Sequence, residues 1–251
     1  MEKKLALLTQ KKQRLDAYRP LSAALVKNLE DWFRVELTYT SNAIEGNTLN
    51  RQETALVVEK GITIEGKSLQ EHQEAINHAH ALVFIKTLIT KKGRELSEGD
   101  ILDIHRIILT KIDDINTGRY RNISVRIAGS TVVLPNAAKV SDLMSAFVAW
   151  LNLPHTEHPV KIAADTHYKL VSIHPFVDGN GRTARLLMNL LLMQEDYPPA
   201  LIRKEDRKKY ITAIEQAQLG GSLHDYYELI IDAVDRSFDI YLEALESKES
   251  K

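Results

Sequence analysis

Apolar residues recur at three- and four-residue steps through most of the chain, the pattern of amphipathic helices. The periodicity predicts helices over 2–16, 20–38, 51–60, 70–91, 97–110, 139–152, 158–172, 181–195, 204–218 and 222–246. Helix starts are signalled by Ser97 with Asp100 behind it, by Ser141 after Pro135-Asn136, and by Asn180 or Gly181 ahead of Leu186-Leu187-Met188. Gly61, Gly93 and Pro198-Pro199 read as stops. One stretch breaks the period: from Ile123 to Leu134, two β-branched runs flank Ala128-Gly129-Ser130, the signal of a β-hairpin. A lone hairpin is marginal, so this one must lie on the helical body, either as padding or as a flap facing a substrate. The expectation is an all-α fold with a short β-hairpin, arranged as an N-terminal helical lobe over 1–50 and a larger domain over 51–246.

Composition narrows the class. The chain of 251 residues is 44% hydrophobic and 27% charged, and a chain of this length buries roughly 70–75% of its unfolded surface without a covalent staple. Its 33 basic residues nearly balance 34 acidic ones, so no global field draws it to nucleic acid or an anionic membrane. The absence of cysteine excludes disulfides, thiol catalysis and cysteine-based zinc sites. The apolar run near the N-terminus is too short for a signal peptide, and no segment reaches 18 apolar residues. A cytoplasmic protein with no membrane contact is expected. His78 and His80 lie two apart on a predicted helix and point different ways, which makes them poor metal partners. His105, His155, His158, His167 and His224 read as structural or exposed.

Gly61-Ile-Thr-Ile-Glu-Gly66-Lys67-Ser68 satisfies the Walker A pattern letter for letter. A phosphate loop of that kind needs a buried strand before it in a parallel sheet. Here Thr54 to Lys60 continues a predicted helix, so a helix-to-helix turn with an exposed lysine is the reading adopted.

Chemistry concentrates instead in His174-Pro-Phe-Val-Asp-Gly-Asn-Gly-Arg-Thr-Ala-Arg185. The glycines let backbone N–H groups turn toward an anion, and the helix that follows adds its positive end. Arg182 and Arg185, three apart, share a helix face and both reach a polyphosphate. Asp178 is a hard oxygen donor suited to Mg²⁺. His174, with an ordinary pKa of about 6.5, is largely neutral at pH 7 and able to accept a hydroxyl proton.

At these positions the chain resembles the Fic family, whose His-x-Phe-x-Asp/Glu-Gly-Asn-Gly-Arg-x-x-Arg signature it matches at every fixed position. The resemblance extends to Thr117-Gly-Arg-Tyr-Arg121, the hairpin, Pro135, Trp150-Leu151 and Tyr197-Pro-Pro199, and is strongest to the branch containing the animal endoplasmic-reticulum enzyme. It implies a Fic-type helical bundle that transfers AMP from ATP to Ser, Thr or Tyr hydroxyls of a protein. It also implies the roles: His174 as base, Asp178 on Mg²⁺, Gly179, Asn180 and Gly181 as the anion hole, and Arg182 and Arg185 on the outer phosphates. Phe176 would anchor the loop, and Tyr210 would lie beside the nucleotide. Gln218 stands where some relatives carry an asparagine that contacts the ribose. The hairpin, about 124–134, would be the flap that docks a protein substrate by strand addition, and a homodimer is expected.

Upstream, Ser41-Asn-Ala-Ile-Glu45-Gly46-Asn47 has the form Ser/Thr-x-x-x-Glu-Gly/Asn. By itself it is one helical turn with a glycine stop. Beside the Fic signature it resembles the family's inhibitory motif, which implies that Glu45 pairs with Arg185 and competes with ATP. In some members the same glutamate supports removal of AMP. An alternative for the whole chain is an ATP-sensing or interaction module without turnover, though a pure binder needs neither His174 nor Asp178. Nucleic-acid binding finds no basic stripe to support it.

Overall fold

The computed structural model describes residues 1–89 and 95–249. Ten α-helices account for most of them: α1 (Glu2–Ala17), α2 (Ala23–Glu45), α3 (Arg51–Ala55), α4 (Leu69–Ile89), α5 (Glu98–Leu109), α6 (Val140–Leu151), α7 (Pro159–Ile173), α8 (Asn180–Gln194), α9 (Arg207–Gln218) and α10 (His224–Glu249). The expected stop at Gly93 lies outside the described residues. Among them, no helix is long and apolar enough to cross a membrane.

The central element is α8. Eleven of its fifteen residues are buried, which is the property of a helix enclosed on all sides rather than one with a single apolar stripe. Met188 and Leu192 join a cluster built from α1, α2, α7, α9 and α10. Ala184, Leu186, Leu187 and Leu190 join a second cluster with α4, α5 and α6. The segment 174–179, which feeds α8, is thereby fixed to a helix enclosed by both clusters. The first fifty residues are part of the same body: Leu8, Leu15, Leu25 and Leu29 lie in the first cluster. Along its outer side α1 pairs with α10 through Lys4 with Glu228 and Asp232, Lys11 with Asp235 and Asp239, and Arg14 with Glu246.

Local chemistry accounts for the helix ends. Ser97 and Asp100 form a reciprocal capping box on α5, and Asn50 with Glu53 does the same on α3. Ser22 caps α2, and Gly46 stops it in the left-handed conformation at φ 106°. The expected start at Ser141 is corrected: a 3₁₀ turn, Ala137–Lys139, precedes α6, and Asn136 supplies the cap by accepting the Ala138 N–H at 2.9 Å. The Walker-like segment follows a π-helical turn, Leu56–Lys60, that ends at Gly61, with no strand before it. Its Lys67 ammonium donates to the Thr48 carbonyl at 2.8 Å and so ties the turn to the chain before α3.

The hairpin expectation is also corrected. A turn forms, with Gly129 at φ 78° and the Ser130 N–H donating to the Ile127 carbonyl at 3.1 Å. Yet no strand forms over 123–134, and the two β-branched runs make no ladder. The Arg121 guanidinium stands between the feet of the segment, donating to the carbonyls of Ile123 (3.0 Å) and Pro135 (2.7 Å). Those groups are spent on a cation rather than on cross-strand pairs, and two strands alone gain too little to compete.

Because α1 holds to α10 by apolar burial as well as by ion pairs, Leu15→Ala, at a site 1% exposed, should cost about 2–5 kcal/mol. Leu7→Ala, at a site 44% exposed, should stay within about 0.5 kcal/mol. Urea unfolding of the two variants checks the contrast.

Candidate active site

The loop between α7 and α8 is held in shape from outside by Arg121 and His105. His174 ends α7 in the left-handed region, φ 51° and ψ 60°, a conformation that costs a non-glycine residue energy unless its surroundings enforce it. They do. Arg121, 3% exposed, donates from Nε to the His174 carbonyl at 2.7 Å, and its own N–H donates to the Pro175 carbonyl at 2.8 Å. Phe176 is fully buried and stacks on His105 at 3.7 Å, nearly parallel. His105 accepts the Gly118 N–H at Nδ1, so its Nε2 carries the proton and donates to the Asp178 carbonyl at 3.0 Å. Burial pushes His105 down to about 4, which keeps it neutral for this role. Gly179, at φ 77°, leaves room for that ring: a Cβ there would meet His105 at 3.2 Å.

The Asn180 side chain is engaged within the loop itself. It accepts the Phe176 N–H at 2.9 Å and donates to the Phe176 carbonyl at 3.0 Å. The amide is spent on shaping the loop, and only the backbone N–H stays at the helix start. No side chain caps α8, so its first-turn N–H groups face the cleft with the helix dipole behind them.

That cleft, about 220 Å³, brings together His174, Gly181, Arg185 and Tyr210 with Ile44 and Glu45 from the end of α2. The turn at Ala128–Ser130 closes one side, held by the Ser130 hydroxyl donating to the Glu215 carboxylate at 2.6 Å. Gln218 lines the same wall and donates to the Ser172 hydroxyl at 3.2 Å. At His174, Nδ1 lies 3.3 Å from the Val171 carbonyl. A carbonyl only accepts, so Nδ1 carries the hydrogen and Nε2 is left with a lone pair. Burial pushes the His174 pKa down, with Arg121 adding to the effect, so the ring is neutral. Asp178, whose carboxylate is 62% exposed, receives the Arg182 guanidinium at 3.1 Å. Arg182 itself is buried, 3.6 Å from Glu74, and among the described residues its Nε and Nη1 have no hydrogen-bond partner.

The expected partnership of Glu45 and Arg185 is present. The Glu45 carboxylate accepts from Arg185 Nη2 at 2.6 Å. It lies directly over Gly181, where a Cβ would collide with it. Arg185 is gripped from behind by Ser41, to whose hydroxyl Nε donates at 2.9 Å and to whose carbonyl Nη2 donates at 3.0 Å. Ser41 and Glu45, one turn apart on α2, thus hold the same guanidinium from two sides. Burial alone would raise the Glu45 pKa, but Arg185, backed by Arg182 and Arg207, outweighs it and holds the carboxyl below the usual range. Tyr210 lines the cleft by its ring, while its hydroxyl turns into the core toward His167 at 2.6 Å.

Four residues that carry this arrangement received no role from the sequence: Arg121, His105, Ser41 and His167. The i,i+4 spacing of Ser41 and Glu45 was a readable signal for one. The others reach partners 43 or more residues away in the chain and leave no local pattern.

Residues 95–192 match the Fic/DOC family. Over 243 residues, 96% of the chain, the sequence is 38% identical to the protein adenylyltransferase Fic of Culex quinquefasciatus and 39% identical to that of Aedes aegypti. Each match covers 48% of the relative, so the chain spans about half the length of these curated proteins. Among solved structures, Fic-1 from C. elegans superposes with a TM-score of 0.90 at 32% identity, covering 98% of this chain and 73% of that one. A Fic domain containing signaling protein from Bacteroides thetaiotaomicron superposes at 0.86 and 31% identity, covering 97% of both chains.

The buried histidines around the cleft set a pH dependence. Burial pushes His78 and His167 down to about 3 each, against about 6.5 when unfolded. Below pH 6.5 the unfolded chain takes up protons that the folded chain refuses, so stability falls with pH from there and is complete above it. The lowered carboxylates, such as Glu71 at about 2, contribute only below about pH 4.5. Urea midpoints should therefore hold level from pH 8 to 7 and decline between 6.5 and 5, with a shallower decline in His78→Gln.

Proposed function

This chain belongs to the Fic/DOC family, and we propose that it is a protein adenylyltransferase that moves AMP from ATP to a Ser, Thr or Tyr hydroxyl. What carries this reading is the convergence of a neutral histidine, an uncapped helix N-terminus and the buried Arg185 on one cleft, with buried Arg182 in the same stretch of α8 beside Asp178. The first-turn N–H groups of α8, from Asn180 through Arg182, face the triphosphate together with the helix dipole. Arg182, whose Nε and Nη1 make no hydrogen bond among the described residues, and Arg185 take the outer phosphates. The apolar wall of Ile44, Ile211 and Ile214 suits the nucleobase, with Tyr210 at its edge.

The target hydroxyl attacks the α-phosphorus. His174 Nε2 takes the hydroxyl proton as the new P–O bond forms. The bond to the bridging oxygen breaks, and pyrophosphate leaves with the electron pair. Its charge develops at the helix end and the arginines, already in place before the reaction. Mg²⁺ fits the donors available: Asp178 is one exposed carboxylate beside the phosphate site, and Mg²⁺ in phosphoryl sites takes one or two carboxylates plus substrate oxygens. Held there, it would neutralise charge on the phosphates. The unpaired segment 123–134, with Ile123 and Val133 exposed, offers its free edge to an extended stretch of the target.

In the form seen, Glu45 occupies Arg185 and the space over Gly181, and so excludes a productively placed outer phosphate. The same carboxylate, at the mouth of the cleft with His174, is suited to hold a water against an AMP-modified side chain. This form therefore favours removal of AMP, and displacement of Glu45 favours transfer.

A charge-assisted hydrogen bond is worth about 1.5–3 kcal/mol, or roughly 10- to 100-fold. Glu45→Gly should raise AMP incorporation by about that factor. Adding His174→Ala should lower it about 10²- to 10⁴-fold. Intact-mass spectrometry after incubation with ATP and Mg²⁺ reads both. ATP binding with no adenylyl mass gain in Glu45→Gly would point instead to a nucleotide sensor without turnover.

A further inference from the structure

His105, on α5, is fully buried beneath the loop that leads into α8, and it is held on three sides. Its face stacks on Phe176 at 3.7 Å, with 5° between the rings. Its Nδ1 accepts the Gly118 N–H at 3.0 Å. The Gly118 turn is itself tied to α5 by the Thr117 hydroxyl, which donates to the Arg106 carbonyl at 3.0 Å. The edge of the ring lies against Gly179, where a Cβ would come within 3.2 Å of it. A backbone N–H can only donate, so Nδ1 holds a lone pair and the ring hydrogen sits on Nε2. Nε2 gives that hydrogen to the Asp178 carbonyl at 3.0 Å.

The bond to the Asp178 carbonyl also sets the N–H on the far side of the same peptide. The Asp178–Gly179 peptide is trans, so its C=O and N–H point opposite ways. With the carbonyl drawn inward to α5, the Gly179 N–H is turned away from the core. Among the described residues it donates to no other group, and the same holds for the N–H groups of Asn180, Gly181 and Arg182. Thr183 is the first to bond back, to the Gly179 carbonyl at 3.0 Å. Gly179 lies in the left-handed region at φ 77°, and Asn180 begins the right-handed helix. That alternation curls successive N–H groups around an anion.

We propose that His105 is a positioning residue for the anion site: by holding the Asp178 carbonyl, it turns the Gly179 N–H outward as a fourth donor beside those of Asn180, Gly181 and Arg182. A glycine tolerates either orientation of the peptide before it, because no Cβ opposes the change. Flipped, that peptide would aim a carbonyl oxygen, with its partial negative charge, where the N–H now stands. The ring therefore fixes the sign of the site as well as its shape. That the anion is a phosphate rests on the adenylyltransferase reading; the orientation of the peptide does not.

The experiment has two arms, both on the full chain carrying Glu45→Gly, which clears the space over Gly181. In the first, nitrogen NMR reads the His105 ring, and the backbone amides are then followed as inorganic pyrophosphate is added. An Nε2-protonated ring is expected, with the Gly179 amide shifting together with those of Asn180 and Gly181. An Nδ1-protonated ring, or a Gly179 amide that pyrophosphate leaves unmoved, would overturn the proposal. In the second, AMP incorporation is followed by intact mass in His105→Phe, which keeps a ring against Phe176 and removes both hydrogen bonds. Deleting one oxyanion donor costs about 10²- to 10³-fold in kcat, and a donor turned aside costs less, about 10- to 100-fold. His105→Phe should show that smaller loss in kcat, with KM for ATP changed far less. His105→Gln, which keeps a donor at the Nε2 position, should recover part of it. An unchanged kcat in the Phe variant, or equal losses in both variants that track their urea midpoints, would show a merely structural ring. Should His105→Phe fail to fold, the ring tautomer and the Gly179 amide decide the matter. Absence of AMP incorporation in the Glu45→Gly protein would sink the functional reading, while the pyrophosphate response would still test the peptide's orientation.

Discussion

Two helix ends meet at Glu45. It is the last residue of α2, where the helix dipole presents partial negative charge, and α2 carries no basic residue in its last turn. A carboxylate is poorly placed there when α2 is considered alone. The same carboxylate lies over the first turn of α8, which no side chain caps. There it meets partial positive charge and the Arg185 guanidinium. What α2 disfavours, α8 more than offsets, and the depressed pKa of Glu45 records the balance. The Arg207 guanidinium completes the junction by donating to the Ile44 carbonyl at 2.6 Å, which satisfies one of the orphan acceptors at the end of α2.

For that junction to form, the loop ahead of α8 must hold its shape without α2. It does so through contacts from α5 and from the segment after it. Arg121 binds the carbonyls of His174, Ile123 and Pro135, so one side chain both enforces the left-handed turn at His174 and sets the feet of the segment 123–134. His105 supports the Asp178 carbonyl from below while stacking on Phe176. A loop braced in this way is ready for an anion before one arrives, which is what electrostatic stabilisation of a developing charge requires.

The sequence made the helices legible because amphipathic periodicity is a local property and the packing of this fold follows it closely. Every predicted helix has a counterpart, and the capping box at Ser97 and the stop at Gly61 follow from the residues themselves. The start of α6 was misplaced because Asn136 caps a 3₁₀ turn that periodicity does not register. The hairpin failed for a different reason. Alternation of β-branched residues reports what a segment could pair with, not whether its carbonyls are already taken, and Arg121 takes them from outside the segment. Within the motif, the Asn180 side chain braces Phe176, a contact the sequence reading did not assign. Ser41 could be read from its spacing to Glu45, whereas His105 and His167 owe their roles to contacts with distant segments that no linear pattern encodes.

The pairing also determines what can move the switch. When Arg185 leaves Glu45 for a phosphate, it exchanges one charge-assisted hydrogen bond for another, so little is decided at the guanidinium itself. The bias must come from whatever holds the end of α2 in place. Asn47, just past the Gly46 stop, donates to the Glu71 carbonyl and to the Glu74 carboxylate, tying the exit from α2 to α4. Glu74 in turn lies near Arg182, the other arginine of the loop. The two arginines are thus coupled to the last turn of α2 by separate routes, Arg185 directly through Glu45 and Arg182 through Glu74 and Asn47. On the proposed chemistry, loosening α2 releases both cations to the nucleotide at once, which makes the state of one helix end a control over the whole phosphate site.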